Sequence, residues 1–568
     1  MDTRNAVLLP LLERTGLFAE GQIESILATP HDGETGLVEL LCEPTGVREA
    51  DFLEKLAPQL GLAFTPLAGS EPPAAAIEKL PARAAFQYSV VPVSFSDGVL
   101  TVATNDPFDT GMVDGLRLAT GCPVRIALAP GDEIAKAARK YYGVGADTLE
   151  KMLETGRLDV SDADTDISKI DLSAMGQEAS VVRFVNQIIA EADKQGATDI
   201  HVEPMETELR IRYRIDGILH KVDLPAQLQR VQAAIISRIK VMANLDIAEK
   251  RLPMDGRIGI RANGKDIDIR VSTCPTTYGE SVSLRLLQKS GGIVRFADLG
   301  MSDRDHRVID RIIHRPNGIL LVTGPTGSGK TTSLYAFLRE INTIDKRILT
   351  AEDPIEYEMP GINQVQVRPD IGLSFARILR SFLRQDPDIM MVGEIRDGET
   401  AQIAVQASLT GHLVFSTLHT NDAAGAFTRL TDMGVEPYLI ASSVAAVLAQ
   451  RLVRRLCPAC KAEANPDFTL LRSMDVNTSL FDNRKVHTPV GCDSCSKTGF
   501  KGRGAIFEVL SVSDAIQSLV TARAPSGDIK DAALKEGMTT LRDDGWRRVF
   551  DGFTTIEEIL RVTEDQEE

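Results

Sequence analysis

The chain has 568 residues, of which 43% are hydrophobic and 25% are charged. This balance is ordinary for folded protein and excludes a wholly disordered chain, and the length predicts several domains. The formal net charge of −17 argues against nonspecific nucleic-acid binding, and no apolar run in the sequence approaches the ~18–20 residues that a membrane helix needs. We therefore expect a cytoplasmic protein that meets a membrane only through its partners.

The first part of the chain predicts two small subdomains. Residues 1–65 carry leucine and isoleucine at helical spacing, so we expect a helical N-terminal subdomain. A connector rich in Pro and Ala follows, and residues 90–104 then alternate apolar and polar residues around Ser96-Asp97-Gly98, which indicates a β-hairpin. With the helical segments and the strand after it, residues 66–145 are predicted to form a small α+β subdomain.

A linker and a second domain come next. Residues 146–180 are acidic, polar and weakly periodic, which is typical of a linker. A helix from residue 181 leads into short strands, and Asn263-Gly264 is a strong hairpin turn between two of them. We expect an α+β domain over residues 181–290, followed by a Gly-containing hinge linker at 291–301.

From residue 302 to residue 456, apolar strands alternate with helices, the pattern of an α/β fold with a mainly parallel sheet. The apolar run from Ile319 to Val322 enters GPTGSGKTT, and a helical pattern begins directly afterwards. This is the strand–loop–helix context of the phosphate-binding loop G-x-x-x-x-G-K-[ST], whose glycines let backbone N–H groups point at phosphate oxygens. The predicted nucleotide-binding residues are Gly324, Thr326, Gly327, Ser328, Gly329, Lys330, Thr331 and Thr332.

This loop predicts a nucleoside-triphosphate site. In such a loop the lysine, here Lys330, neutralises the β- and γ-phosphates, and the hydroxyl of Thr331 ligates Mg²⁺. Carboxylates beside it would bind the metal or orient water, and Glu352, Asp353 and Glu356 end the next apolar strand. The alternative for these three is a solvated acidic loop.

A second acidic position follows the apolar run 389–392. Many P-loop enzymes end the corresponding strand with an Asp that helps to hold Mg²⁺, whereas this chain has Gly393 and then Glu394. Farther on, His412 and His419 stand at the two ends of a predicted strand. Their spacing does not suggest a metal pair; a structural role is the usual one for a lone His, and phosphate sensing or a contact between subunits is the alternative.

These motifs together carry a family resemblance. The series GPTGSGKTT, AEDPIEYEMPGINQVQV, LRSFLRQDPDIMMVGEIRDGETA and TGHLVFSTLHTNDAAGAFTRL resembles the secretion/type IV pilus ATPase superfamily, in which the four segments are the Walker A, Asp box, atypical Walker B and His box. The continuation DMGVEPYLIASSVAAVLAQRLVRRLCPACK is most similar to the type II secretion ATPases, with the pilus-assembly ATPases as the nearest relatives. The resemblance is strong over residues 180–510.

The resemblance implies an α/β multidomain fold: a RecA-like P-loop NTPase core, a PAS-like α+β second domain, a small α+β N-terminal region and a zinc-binding insertion. It implies that Glu394 positions the attacking water or reaches Mg²⁺ through water, and that Glu356 and then Glu352 share this task. It also implies arginines that stabilise charge at the nucleotide. By motif position these are Arg270, Arg285, Arg380 and Arg384, which would otherwise be interpreted as ordinary surface or ion-pair arginines.

Four of the seven cysteines form two CxxC pairs. Cys457 and Cys460 make the first pair, and Cys492 and Cys495 make the second. Two such pairs can present four thiolates to one tetrahedral ion, which predicts a structural zinc site, with a redox pair as the weaker alternative. Because the pairs are farther apart than in compact zinc ribbons, we expect a tetracysteine subdomain over 457–500. The rest, 501–568, is predicted as a C-terminal helical part of the ATPase domain.

We therefore expect a hexameric Mg²⁺-dependent ATPase, peripheral to the cytoplasmic face of the inner membrane, that powers pseudopilus assembly in type II secretion. The expected partners are the inner-membrane platform and cytoplasmic-domain proteins of that system. Alternatives are a type IV pilus extension ATPase, a RecA-like DNA motor and a non-hydrolysing nucleotide switch. The acidic charge and the lack of an evident basic or aromatic tract count against nucleic-acid binding. Residues 1–145 are expected to dock a partner. Their segment RTGLFAEGQIESILATP resembles the corresponding part of cyclic-di-GMP-binding relatives in position but lacks the Arg-Leu-Gly tripeptide of those relatives.

Overall fold

The computed structural model describes residues 9–18, 21–28, 37–67, 71–142, 172–224, 226–262, 265–288, 294–474 and 476–563. The chain forms two compact units, Met1–Leu287 and Gln288–Glu568. None of the helices within the described ranges combines the length and hydropathy that a membrane span requires.

The first unit begins with a helical subdomain. Residues 9–13 are helical, and three helices follow: α1 (Gln22–Ala28), α2 (Leu37–Thr45) and α3 (Glu49–Leu60). Helix α3 ends at Gly61, whose φ of 66° is the left-handed conformation that glycine adopts most easily at a helix end. The core of this subdomain is apolar, with Leu12, Leu41 and Phe52 fully buried. The helical character predicted for residues 1–65 is thus present in the part that the structure describes.

A small α+β subdomain follows in the same unit. Its elements are β1 (Ala63–Phe64), α4 (Ala74–Lys79), α5 (Ala82–Gln87), β2 (Val90–Ser96), β3 (Val99–Thr104), α6 (Thr110–Thr120), β4 (Val124–Leu128) and α7 (Gly131–Tyr142). The sheet order is β1-β4-β3-β2. Strands β2 and β3 pair antiparallel, with Ser96 opposite Val99, which confirms the predicted hairpin. Asp97 and Gly98 form its turn at φ values of 52° and 74°.

The second domain is built on a six-stranded sheet of order β7-β6-β5-β10-β9-β8. Its elements are α8 (Leu172–Lys194), β5 (Ala197–Pro204), β6 (Leu209–Ile215), β7 (Ile218–Lys221), a 3₁₀ helix (Ala226–Val231), α9 (Gln232–Met242), β8 (Met254–Ala262), β9 (Lys265–Thr276) and β10 (Gly279–Gln288). Helix α8 begins inside the segment predicted as a linker; residues 146–171 of that segment lie outside the described residues. Asn263-Gly264 also lie outside them, and the residues on either side pair antiparallel as a hairpin requires.

The second unit contains a seven-stranded sheet of order β13-β12-β14-β15-β11-β16-β19. Its elements are a 3₁₀ helix (Phe296–Leu299), α10 (Asp303–Ile313), β11 (Gly318–Thr323), α11 (Lys330–Ile341), β12 (Ile348–Glu352), β13 (Asn363–Gln366), a 3₁₀ helix (Pro369–Ile371), α12 (Phe375–Phe382), β14 (Ile389–Val392), α13 (Gly398–Leu409), β15 (Leu413–Leu418), α14 (Gly425–Asp432), α15 (Pro437–Ser443) and β16 (Val444–Leu456).

All of this sheet is parallel except β19, which pairs antiparallel with β16. Every residue of β11, β14 and β15 is buried, because helices cover both faces of the sheet, so these strands are almost continuous apolar runs. The α/β architecture predicted for this region is confirmed. Of the predicted hinge, residues 289–293 lie outside the described part, and Phe296 packs edge-on against Phe337 of α11 at 5.5 Å between ring centroids.

The chain ends with a cysteine-containing insertion and a helical segment. The remaining elements are β17 (Ala462–Ala464), α16 (Phe468–Ser473), a 3₁₀ helix (Thr478–Phe481), β18 (Val486–Thr488), a 3₁₀ helix (Asp493–Cys495), β19 (Phe500–Ser511), α17 (Asp514–Thr521), α18 (Ser526–Lys535), α19 (Leu541–Phe550) and α20 (Ile556–Thr563). Strand β19 occupies the start of the segment that was predicted to be helical. Its apolar residues are buried because it completes the main sheet beside β16.

Candidate nucleotide site and cysteine cluster

The phosphate-binding loop connects the end of β11 to the start of α11. Gly324 and Gly329 have φ values of 146° and 88°, which residues with a side chain rarely adopt. A Cβ on Gly324 would lie 2.5 Å from the carbonyl oxygen of Gln450, and one on Gly329 would lie 2.7 Å from Gln450 Nε2. The loop can therefore take this tight course only because both positions are glycine.

Lys330 is the first residue of α11, and its side chain folds back over the loop. The ammonium Nζ donates hydrogen bonds to the carbonyl oxygens of Gly324 at 2.7 Å and Pro325 at 3.0 Å. Burial lowers the pKa of Lys330 to about 8, although the nearby charge of Glu394 acts to raise it and Arg451 acts to lower it further. Within the part of the chain that the structure describes, this ammonium donates its hydrogen bonds to loop carbonyls, so an anionic ligand would meet a preformed positive centre.

Other residues of the phosphate loop have polar groups that could form hydrogen bonds with a ligand. The hydroxyl of Ser328 is buried and, among the described residues, finds no hydrogen-bond partner. Thr326, Thr331 and Thr332 are exposed, and a Cβ on Gly327 would enter open space. An orphaned hydroxyl beside a buried ammonium is the arrangement that a phosphate oxygen would satisfy. The loop residues therefore fit the phosphates of a nucleotide, and the exposed Thr331 hydroxyl on the first helical turn suits a magnesium ligand.

Glu394 lies directly after β14 and close to this loop. Its side chain is only 15% exposed; Oε1 pairs with Arg396 Nη2 at 2.5 Å, and Oε2 lies 3.5 Å from His419 Nε2. The residue before it is Gly393, where a Cβ would lie 3.3 Å from the carbonyl oxygen of Ala351. The strand thus passes close to β12 here, so a side chain at 393 would require this carbonyl to move by a few tenths of an ångström, and the acid stands one residue later.

Glu352 is enclosed by protein donors. It is 3% exposed at the end of β12. One carboxylate oxygen accepts a hydrogen bond from the Tyr335 hydroxyl, and the other accepts from Thr350 Oγ1 at 2.5 Å and from Gln364 Nε2 at 3.0 Å. Burial, with the Glu352 contact, raises the pKa of Tyr335, so its hydroxyl remains a donor. Both oxygens of Glu352 are therefore engaged inside the sheet.

The other members of the acidic segment lie nearer the surface. Glu356 is half-buried, and its backbone N–H donates to the Tyr335 hydroxyl at 3.3 Å, while Asp353 is exposed. Residues 352–356 therefore wrap around Tyr335, and their three carboxylates do not share one environment.

The two predicted histidines lie at opposite ends of β15. Strands β11 and β15 are parallel, with Leu418 opposite Thr323 and Leu413 opposite Gly318, so only the end at His419 adjoins the phosphate loop. His412 stands before the other end, where its Nδ1 lies 2.8 Å from the carbonyl oxygen of Ala407. A strand of this length spans about 20 Å, which agrees with the prediction that the two histidines stand at its two ends and do not form a pair.

The four predicted arginines occupy two places. Arg380 pairs through Nη2 with Glu399 Oε1 at 2.5 Å, and Arg384 Nη1 donates to the Arg380 carbonyl at 2.7 Å, both at the end of α12. Arg270 lies on β9 and Arg285 on β10 of the first unit, where Arg285 pairs with Asp199 at 2.9 Å. In the described residues, Arg285 is thus engaged with its own sheet and Arg380 with the neighbouring helix α13.

Two residues of β16 adjoin the loop and were not predicted from the sequence. Gln450 accepts a hydrogen bond from Ser333 of α11 at 2.7 Å. Arg451 is 8% exposed, donates through Nη2 to the Asn421 carbonyl at 2.9 Å, and acts to lower the pKa of Lys330. The signal was a Gln-Arg pair within the otherwise apolar run VAAVLAQRLV, where polar side chains need a partner.

The four cysteines of the predicted tetracysteine subdomain come together. Their sulfur atoms lie within 4.8 Å of one another, with Cys457 and Cys492 at 3.9 Å and both Cys460 and Cys492 at 3.8 Å from Cys495. With a Zn–S bond of about 2.3 Å, a tetrahedral site separates its sulfurs by roughly 3.8 Å. The spacing is therefore compatible with zinc, as predicted.

Backbone donors support the same interpretation. The sulfur of Cys495 accepts hydrogen bonds from the N–H groups of Cys492 and Gly499, each at 3.2 Å. Burial acts to raise the pKa of this thiol, but these N–H donors and the thiols of Cys492 and Cys460 lower it to about 6, while burial and the same network raise the pKa of Cys460 to about 11. A thiolate is the form that binds a metal, so the donor set has the chemistry of a structural zinc site.

Comparison with known proteins agrees with the geometry. A family model described as type II/IV secretion system protein matches residues 174–561, and an MshEN domain model matches residues 60–148. The chain is 43% identical, over the full length of both proteins, to the type II secretion system protein E of Xanthomonas campestris pv. campestris. It is 42% identical to the type IV pilus assembly ATPase PilB of Myxococcus xanthus, over 97% of this chain and 98% of the relative.

A third relative is the type II secretion system ATPase E of Vibrio cholerae, 49% identical over 70% of this chain and 78% of the relative. The resemblance to this superfamily, predicted from the four motifs, is confirmed. On its loop, its carboxylates and these matches together, the chain belongs to the type II/IV secretion system protein family.

Proposed function

We propose that this chain is an Mg²⁺-dependent ATPase that powers pseudopilus assembly in type II secretion. The observation that carries the proposal is the phosphate loop, in which a buried Lys330 and the orphaned Ser328 hydroxyl face a site that Glu394 adjoins. Each of these groups has one task in ATP hydrolysis.

Binding of ATP uses the loop. The phosphates take over the contacts that Lys330 makes with loop carbonyls, and Ser328 gains the acceptor that it lacks. Mg²⁺, when bound, offsets the charge of the β- and γ-phosphates. The hydroxyl of Thr331 is the side chain of this chain that would hold it.

Hydrolysis uses Glu394. Its carboxylate is largely enclosed yet lies near Lys330, and it orients and polarises the attacking water. His419, 3.5 Å from the other carboxylate oxygen, keeps Glu394 in this orientation. Glu356 is the second candidate for this task. Glu352, whose two oxygens are already engaged, holds the end of β12, from which the segment with Glu356 continues.

The remaining features are carried over from the family. The chain acts as a homohexamer at the cytoplasmic face of the inner membrane and contacts the membrane through the platform and cytoplasmic-domain proteins of the secretion system. The second domain is PAS-like, the core RecA-like, and Arg270, Arg285, Arg380 and Arg384 stabilise phosphate charge in the assembled hexamer. The four cysteines bind one structural zinc. A nucleic-acid partner is not part of the proposal, in keeping with the net charge of −17.

A second candidate is type IV pilus assembly, because PilB of Myxococcus xanthus matches nearly the whole chain. Relatives named for type II secretion match at 49% and above over a shorter region, which favours secretion. Introducing the gene into strains that lack either ATPase separates the two: we expect restored protein export and no restored pili.

The enzymatic proposal is tested by ATP turnover of the purified full chain with Mg²⁺. Lys330→Ala should abolish both ATP binding and turnover, whereas Lys535→Ala, an exposed lysine of α18, should leave both unchanged. Wild-type turnover in Lys330→Ala would overturn the proposal. ATP binding without phosphate release in a single-turnover experiment would instead identify a nucleotide switch, and stimulation by DNA would favour a DNA motor.

A further inference from the structure

The segment between β15 and α14 begins with His419 and continues through Thr420, Asn421 and Asp422 to Ala423; we call it the His419 loop. It starts on a line of residues that crosses four neighbouring strands: Leu418 lies opposite Thr323, Thr323 opposite Ala449, and Ala449 opposite Glu508. The loop, the end of β11 and the Glu508 side of β19 therefore share the phosphate end of the sheet.

Three neighbouring strands hold the backbone of this loop. The Thr323 hydroxyl of β11 accepts a hydrogen bond from the Thr420 N–H at 2.9 Å. Arg451 of β16 donates to the Asn421 carbonyl at 2.9 Å. Glu508 of β19 accepts from the Ala423 N–H at 2.8 Å. Side chains from three successive strands of the sheet thus hold the backbone of the loop on one side.

Two of the three holding groups are buried charges. Glu508 is fully buried and Arg451 is 8% exposed, and neither has a task in the hydrolysis described above. Burial raises the pKa of Glu508; Asp422 also raises it, and the N–H of Ala423, Lys530 and the N–H of Leu541 act against this. Keeping such groups in a protein interior is unfavourable unless their hydrogen bonds are used, and each directs one hydrogen bond to this loop. The other oxygen of Glu508 accepts from the Leu541 N–H at 3.4 Å, and Arg451 Nη1 donates to the Gln450 carbonyl at 3.2 Å.

The loop matters because of its first residue. His419 Nε2 lies 3.5 Å from Glu394 Oε2, while the imidazole itself is about half exposed, so neighbouring side chains enclose the ring only in part. The backbone of β15 before it and of the loop after it therefore contributes to the position of the ring. We propose that Glu508 and Arg451 are positioning residues that hold the His419 loop so that His419 stays against Glu394. This inference rests on the proposed ATPase function.

The test is a double-mutant cycle in the full-length protein, with kcat and KM for ATP measured for each variant. Glu508→Ala should lower kcat at least ~10-fold with KM nearly unchanged, because a misplacement of about 1 Å at a reacting group can cost ~100-fold. If Glu508 acts through His419, then Glu508→Ala together with His419→Ala should be no slower than His419→Ala alone. Additive losses would overturn the proposal, as would wild-type turnover in His419→Ala.

Conservative variants and controls separate positioning from general damage. Glu508→Gln keeps an acceptor oxygen for the Ala423 N–H and should recover most of kcat; a Gln variant as slow as the Ala variant counts against the proposal. Glu557→Ala, an exposed carboxylate of α20, is the matched control and should turn over ATP normally. If Glu508→Ala does not fold, the same cycle is run with Arg451→Ala, and Arg451→Lys is its conservative partner. Losses of kcat that do not add to the loss in His419→Ala support the proposal. Losses that add refute it.

Failure of the proposed ATPase function and failure of the positioning role give different experimental results. A wild-type protein that binds ATP but releases no phosphate overturns the proposed function and this inference with it. An active wild-type protein whose losses add in both cycles overturns only the positioning role.

Discussion

The hydroxyl of Tyr335 on α11 donates a hydrogen bond to the carboxylate of Glu352 on β12, and both side chains are buried. This contact joins the helix that follows the phosphate loop to the strand that carries the acidic segment. Tyr335→Phe would leave one buried oxygen of Glu352 without its donor. We expect the free energy of unfolding to fall by about 1–3 kcal/mol in a urea titration. Tyr357→Phe, which changes an exposed tyrosine, should have little effect.

Because Glu352 is enclosed by protein donors, we expect the carboxylates to differ in how strongly each one affects ATP turnover. Glu394→Gln should still bind ATP but lose about 10²–10⁴-fold in turnover, because it removes the group that polarises the water. Glu352→Gln should act mainly on stability. Single-turnover phosphate release measures the step directly, with Glu358→Gln on the exposed part of the same segment as control. If Glu356→Gln proved the slowest of these variants, the water would be assigned to Glu356.

Lys330 predicts a proton linkage. Burial places its pKa at about 8, against an ordinary value of 10.5, so above pH 8 the nucleotide-free protein holds this lysine largely neutral. A bound triphosphate favours the charged ammonium, so ATP binding should take up close to one proton per site near pH 9 and almost none at pH 6.5. Calorimetric titrations in buffers of different ionisation enthalpy measure this uptake. Equal, near-zero uptake at both pH values would contradict the prediction.

The lowered pKa of Lys330 also makes the stability of the folded protein depend on pH. The direction follows from the number of protons bound by the folded and unfolded chains. Between pH 8 and pH 10.5 the unfolded chain binds a proton at Lys330 that the folded chain does not. Lys330 therefore lowers the free energy of unfolding below pH 8. This destabilisation shrinks as the pH rises through the window. Comparison of the wild-type protein with Lys330→Met across the window isolates it, since the methionine variant has no such slope.

The cysteine cluster predicts a metal content and a stability effect. Protein purified without chelator should contain about one zinc per chain by atomic absorption, and Cys495→Ser should lose it. Because Cys457 directly follows β16, loss of the metal should also lower the melting temperature of the core. Cys274→Ser, which changes an exposed cysteine far along the chain from the cluster, is the control. A metal-free protein with unchanged melting temperature and activity would contradict the assignment.

The features that the sequence predicted well are local in the chain. The phosphate loop is one strand, one turn and one helix, so its spacing alone shows which groups meet. The cysteine cluster is similar, since two CxxC pairs need only one approach of the chain to itself. The hairpin at Asp97-Gly98 follows from its turn residues. In each case a short sequence motif contains all or nearly all of the residues that come together in the structure.

The features that were not predicted depend on contacts between distant strands. Arg451 adjoins the phosphate loop only because β16 pairs with β11, a register that no short motif records. Glu352 was predicted as a candidate beside Asp353 and Glu356, and its hydrogen bonds to Tyr335 on α11 and Gln364 on β13 come from elements that no short motif links to it. His412 and His419 were expected at the two ends of one strand, and the parallel register of β11 and β15 shows which of the two ends adjoins the phosphate loop.

Gly393 also limits how this enzyme can change over generations. A side chain there would press on the backbone of Ala351 and Glu352, and β12 is held from both sides by β13 and β14. A mutation that introduced the Asp found at this point in many other P-loop enzymes would have to push a central strand aside by a few tenths of an ångström. The more common arrangement would therefore bring a close contact with β12 as well as a new carboxylate. A lineage that acquired it would have to accommodate both changes at once.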